Sequence, residues 1–432
     1  MKSKLSIFLA VVLLVLGGLA CGSSASGSPT AANGPVATGT PPALTGPSAT
    51  VPSPAAQPSP TPAPVPAESQ ALYAQLQQSL QSADGLLGTP DPQPGLVFST
   101  DLLTANSNRG TDLLQPGVLD ATRLFLDRLA ELGIRGVKIS VHYPLLVSGF
   151  AHSQDYVQFY GLVAQLVRAH GMTLTVQMNV IFAGTPFSNV QVDFSNLTFT
   201  QFEQENRAMA QTIIDSMHPD YLVLLSEPDT AAALTGLREL NDPQHVLEYV
   251  QYVLDGLQPG STRVGAGSGS WSSLDFTRLL AEQTRLDFIS IHVYPIQSQF
   301  VQNALAMAEL AHANHKDVVI SEAWLYKTAS PGVVQAVANS VDASRQDTFS
   351  FWEPLDEQFL GMMTRLADRT GARVVSFFWS TRFFGYAAYT PALATATFPQ
   401  ASQAANAVAN SALQADAFSP LGLSLRDLIA RH

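Results

Sequence analysis

The chain has 432 residues, 22 of them basic and 34 acidic, for a formal net charge of −12. That balance, with no basic cluster interleaved with aromatics, excludes nucleic acid as the expected partner. Only 13% of the residues are charged and 46% are hydrophobic, which excludes a disordered interaction protein and favours a folded enzyme with a neutral or weakly charged substrate.

Lys2 and Lys4 precede an apolar run from Leu5 to Ala20 that ends at Cys21, the one cysteine of the chain. A basic start, a short apolar run and a small-residue end form the pattern of a bacterial lipoprotein signal. Residues 1–20 are therefore expected to be removed and Cys21 to be lipidated, which anchors the protein to a bacterial membrane, at the cell surface or in the periplasm, through that lipid alone. Gly18 stands three places before Cys21, where Leu is usual, and Leu19 follows it. An uncleaved anchor with an incidental cysteine is the competing interpretation. With the thiol committed to lipid, no disulfide supports the fold. Residues 21–68 are dominated by Gly, Ser, Ala, Thr and Pro. They bury too little apolar surface to offset their ordering entropy and are expected to form a disordered tether, on the order of 140 Å if fully stretched.

Residues 69–432 have the length of a single (β/α)8 barrel with long loops. Short β-branched runs begin near Gly95, Gly136, Thr173, Tyr221, Thr262, Asp287, Asp317 and Arg373. Between them lie helical patterns, Val118 to Leu132, Tyr156 to His170, Phe202 to Met217, Val246 to Leu257, Val301 to His312 and Pro354 to Arg369. Gly133, Gly171 and Gly371 follow three of these, where a left-handed cap is most easily adopted. An open doubly wound sheet is the main alternative. Eight strands with polar residues at so many exits favour a closed TIM barrel.

Two of those exits carry glutamates, Glu227 in YLVLLSEP and Glu322 in VVISEAW. Strand exits are where a parallel barrel holds its chemistry, and two carboxylates are the minimum equipment for glycoside hydrolysis. The segments SEP at 226–228, IHVYP at 291–295, SEAW at 321–324 and FFWS at 377–380 fall on strands four, six, seven and eight. In that order they resemble a retaining glycoside hydrolase of the (β/α)8 clan that includes cellulases, mannanases and galactanases, clan A. The resemblance implies Glu227 as acid/base and Glu322 as nucleophile. It also implies that His292 and Tyr294 border the cleft, with Tyr294 bonded to the nucleophile, and that Trp379 floors the sugar at the cleavage point. An Asn usually precedes the acid/base and contacts the 2-hydroxyl. Ser226 stands there, so Asn179 or a water makes the contact, or the substrate is held differently. Lys138, followed by His142 and Tyr143, occupies the strand where the clan often has an Arg near the nucleophile. Trp324 and Trp271, at strand exits, are further candidate platforms for a sugar face. The substrate implied is a β-linked polysaccharide or oligosaccharide.

Other features are set aside. Trp352, Glu353 and Pro354 imitate the acid/base tripeptide but open a helical pattern. Gly265, Gly267 and Gly269 precede no helix start and mark close packing at strand five. The sequon at Asn196 carries little meaning in a bacterial lipoprotein. No H-E-x-x-H pattern or cysteine ligand set occurs, so no catalytic metal and no cofactor is expected. Phe349, Phe351 and Trp352 are expected to form a cleft wall between strands seven and eight. Two other functions stay open: a carbohydrate-binding lipoprotein without turnover, which Ser226 favours, and a serine-dependent hydrolase using His292, which lacks a nucleophile-elbow pattern.

Overall fold

Eight parallel strands pair in sequence order and close on themselves: β1 Val97–Asp101, β2 Gly136–Tyr143, β3 Thr173–Val180, β4 Tyr221–Val223, β5 Arg263–Gly269, β6 Phe288–Val293, β7 Asp317–Ala323 and β8 Val374–Phe377. The computed structural model describes residues 63–333 and 340–432. The fold is the (β/α)8 barrel, not the open sheet. The predicted signal, Cys21 and the tether up to residue 62 lie outside the described residues. Residues ahead of 69 already pack on the barrel: Ala63 and Val65 lie on the core and Glu68 bonds Tyr389. No helix of the described residues is long and apolar enough to cross a membrane.

The six predicted helices are present, as Val118–Glu131, Ser153–Ala169, Phe199–Met217, Pro243–Gly256, Ser298–Ala313 and Glu353–Thr370. Gly133, Gly171 and Gly371 have φ of 88°, 63° and 60°, the left-handed conformation that ends these helices at least steric cost. Further long helices of the described residues are Gln70–Leu87, Leu274–Gln283, Phe398–Gln414 and Pro420–Arg431. Gln70–Leu87 lies along Glu353–Thr370: Tyr73 stacks on Trp352 at 5.6 Å, and Asp84, three turns further on, pairs with Arg365. At the other end of the chain, His432 Nε2 is 2.8 Å from Asp368 and its ring meets Phe98 at the start of β1.

The barrel interior divides by height. Val223, Phe288, Val319 and Val374 form a separate buried cluster at the strand beginnings, with Val97 and Tyr221 against it. One period of the pleat further along, the inward positions turn polar: Ser99 and Asp101 on β1, Lys138, Ser140 and His142 on β2, Gln177 on β3, Ser290 and His292 on β6. Ser290 and Ser321 share a hydrogen bond of 2.6 Å. The apolar plug keeps water out from below, so charges above it act in a low-dielectric chamber. At β5 the packing is so close that a Cβ at Gly267 would overlap the carbonyl of Ser290, and one at Gly265 the ring of Phe288.

One expectation fails here. Phe349, Phe351 and Trp352 have no exposed surface; they stack on one another, on Tyr389 and on Tyr73. Their apolar area is spent holding Gln70–Leu87 and the β7–β8 connection together, so they wall no cleft.

Candidate active site

Glu227 is the last residue before the short helix Pro228–Thr235, and its φ of −137° and ψ of 81° turn the chain from β4 into that helix. Pro228, whose ring pre-sets a helical φ, starts the helix. The Glu227 side chain is not spent on capping it. Instead its Oε2 accepts from Thr230 Oγ1 at 2.7 Å, and its Oε1 lies 2.7 Å from His292 Nδ1. Glu322 comes from β7. Lys138 Nζ donates to its Oε2 and Tyr294 Oη to its Oε1. The β6–β7 register shifts between Ile291 and His292, which sets His292 opposite Glu322 and aims its ring at both carboxylates. His292 Nδ1 is 3.9 Å from Glu322 Oε1, and its Nε2 is 3.0 Å from Gln177 Oε1.

Glu227, His292 and Glu322 present oxygen and nitrogen atoms that all lie within 4.8 Å of one another. One oxygen of each carboxylate thus lies close enough to the other for both groups to act on a single bond. The same three side chains could ligate a cation. Both Glu322 oxygens already accept hydrogen bonds, however, and the Lys138 ammonium opposes a metal ion beside it.

The charges are sharply graded. Burial alone would push the Glu322 carboxyl up, but the Lys138 ammonium, then His292, and the bonds from Lys138 and Tyr294 bring it down to about 2. Burial pulls against charge on Lys138, yet Asp101, whose Oδ1 is 2.9 Å from Nζ, and Glu322 together raise its pKa. Asp101 itself is pushed well above the carboxylate range by burial, against the pull of Lys138. Of the two acids flanking the ammonium, Glu322 therefore keeps the negative charge. Burial and Glu322 raise the Tyr294 phenol, which stays neutral and donates. Next to Glu227, Asp229 is raised to about 6 by burial and by the Glu227 charge, while Trp271 Nε1 donates to it at 2.8 Å.

The other predicted residues divide. His142 and Asn179 are register partners on β2 and β3. Burial, then Lys138, lowers His142 to about 3, so its ring is neutral, with Nδ1 3.2 Å from Asn108 Nδ2. Asn179 Oδ1 accepts from the Val180 amide at 2.9 Å. Ser226, expected at the sugar, has no exposed surface, and its hydroxyl has no hydrogen-bond partner among the described residues. The turn that sends Glu227 inward sends its neighbour into the wall. Trp324 is also corrected: it is fully buried, donates from Nε1 to Asp347 Oδ1 at 2.7 Å and packs on Phe359. It braces the barrel and offers no face to a ligand.

Trp379 is half-buried, with its ring 4.8 Å from Phe378 and 5.5 Å from the Arg382 guanidinium. Phe378 in turn lies 5.7 Å from Lys138 Nζ, which sets this aromatic pair beside the ammonium that holds Glu322. Trp379→Ala should raise KM about tenfold, the loss of about 1–1.5 kcal/mol of ring contact, with a smaller change in kcat. Steady-state kinetics checks this, and an unchanged KM would remove Trp379 from the cleft.

Gln177, Asp101, Thr230 and Tyr326, whose ring is 4.3 Å from Tyr294, belong to the site but carry no motif. For Gln177 and Asp101 the available signal was a polar residue at an inward position of an otherwise apolar strand.

No protein-family model matches the chain, and no curated protein matches it. Among solved structures the fold is similar to a GH5_18 variant from Bifidobacterium longum subsp. longum, at 14% identity over 78% of this chain and 78% of that one, with a TM-score of 0.50. It is likewise similar to a GH5_18 variant from Streptomyces cattleya, at 14% identity over 78% of this chain and 80% of that one, also at 0.50. Both were solved in complex with Manβ1-4GlcNAc. At this identity the likeness is one of fold.

Proposed function

We propose that this protein is a retaining glycoside hydrolase of β-linked polysaccharides or oligosaccharides, held to a bacterial membrane by lipid on Cys21 and a tether. The observation that carries the reading is the unlike setting of two adjacent carboxylates. Glu322 is gripped by an ammonium and a phenol, a setting for an anion, whereas Glu227 has only a hydroxyl and an imidazole. The leaving oxygen takes a proton from Glu227 as Glu322 attacks the anomeric carbon, forming a glycosyl ester. Glu227, now ionised, takes a proton from water, whose oxygen displaces Glu322 and restores both groups. Lys138 and Tyr294 hold the nucleophile at one angle through both steps. The full polar satisfaction of Glu322 favours rigidity over reach, as attack at a fixed point requires.

A second reading, sugar binding without turnover, is supported by Ser226: buried as it is, it supplies no donor to a 2-hydroxyl. Hydrolysis of a panel of plant, fungal and bacterial β-glycans, with Manβ1-4GlcNAc included, separates the two. The glycosidase reading expects release of sugar whose first-formed anomer, followed by proton NMR, keeps the β configuration. Binding without product across the panel favours the second reading, and an α first product removes the retaining mechanism.

A further inference from the structure

His292 has a partner on each ring nitrogen, and both it and Gln177 are almost wholly buried. An amide oxygen only accepts, so Gln177 Oε1 at 3.0 Å requires a hydrogen on His292 Nε2. Nδ1 then either presents a lone pair to a protonated Glu227 or carries the hydrogen itself and faces a carboxylate. Both arrangements hold one proton between the two residues. We propose that Gln177 is a positioning residue that fixes this tautomer, and that the proton between His292 Nδ1 and Glu227 Oε1 is the one consumed when the glycosidic bond breaks. The inference rests on the glycosidase reading above and deepens it.

The argument is electrostatic. If the pair loses its proton while Nε2–H stays fixed, the Glu227 carboxylate faces the bare lone pair of Nδ1 at 2.7 Å, an unfavourable contact in a buried site. The pair therefore keeps its proton until the leaving oxygen, a better acceptor as the C–O bond lengthens, takes it. Without the Gln177 acceptor the ring can place its hydrogen on Nδ1 instead and donate to the ionised Glu227, which makes proton loss easier. The other groups facing this pair are Glu322 on β7, with Lys138 on β2 and Asp101 on β1 behind it, Tyr294 beyond β6, Tyr326 beyond β7, and Asp229 in the helix after Glu227. None of them contacts Nε2, so the tautomer is set from β3. In the second step water returns one proton to the pair, and the balance closes without any other donor.

The test uses the full chain labelled with nitrogen-15 in its histidines, with the His292 signals assigned by their loss in His292→Gln. Wild type should show Nε2 protonated. A hydrogen on Nδ1 with a bare Nε2 overturns the inference, and because the spectrum needs no substrate, that failure is distinct from failure of the glycosidase reading. Gln177→Glu, which keeps an acceptor, should preserve the Nε2–H signal. Gln177→Leu should lose it and move the alkaline limb of kcat/KM at least about one pH unit lower. A uniform drop in rate with an unmoved limb means that Gln177 only packs, and overturns the proposal.

Discussion

Glu322→Ala and Glu227→Ala should each lower kcat/KM by about 10³-fold or more on substrates with poor leaving groups, while binding survives. The two losses differ in kind. Removing Glu322 leaves a small cavity beside Lys138 and Tyr294, where azide can enter and attack the anomeric carbon once, giving a glycosyl azide of inverted configuration. Removing Glu227 leaves the first step intact for an activated leaving group. Azide then replaces water in the second step and gives the retained azide. Product analysis therefore assigns the roles independently of rate. Swapped azide stereochemistry would exchange the two glutamates, and a Glu322→Ala protein with wild-type turnover sinks the mechanism.

Lys138→Met should be the most destabilising single change at the site, by about 3–5 kcal/mol at neutral pH, because it leaves the Glu322 carboxylate buried with no cation beside it. The sign with pH follows from Glu322, whose carboxyl is depressed from 4.5 to about 2 in the folded chain. A depressed carboxylate contributes stability that is present above its unfolded value and is lost as pH falls through the folded one. The wild-type advantage over Lys138→Met should therefore be largest at neutral pH and shrink on acidification, first as the raised carboxyl of the variant protonates and then from about pH 4.5 towards 2 as the wild-type contribution is lost, which denaturant titrations at pH 7 and pH 4 can compare. In any residual activity the acid limb should rise, since burial, no longer opposed by the ammonium, favours the neutral carboxyl. An equal gap at both pH values would mean that Lys138 stabilises by packing and not by charge.

The β-strands were legible because each carries its apolar run between turn residues, and both glutamates because each closes such a run. Gln177 was not: it meets His292 across 115 residues of sequence, through a contact that exists only once β3 and β6 face each other inside the closed barrel. Trp324 misled for a related reason. The strand pattern brings it to an exit, but its indole answers to Asp347, in a connection whose path no local periodicity reports. Ser226 adjoins Glu227 in the chain and has no access to its cleft, because adjacent residues at a strand end point to opposite sides.

The helix Gln70–Leu87 descends beside Glu353–Thr370, from the strand exits towards the start of β1, while His432 finishes against Phe98 at the opposite end. The described chain thus starts at the barrel end that holds the two carboxylates, by its lip, and finishes by its base. With the preceding residues removed, a bead or carrier coupled directly at residue 63 crowds the mouth and screens it from bulky glycans. Coupling through the carboxyl side turns the mouth outwards and leaves it free to meet them.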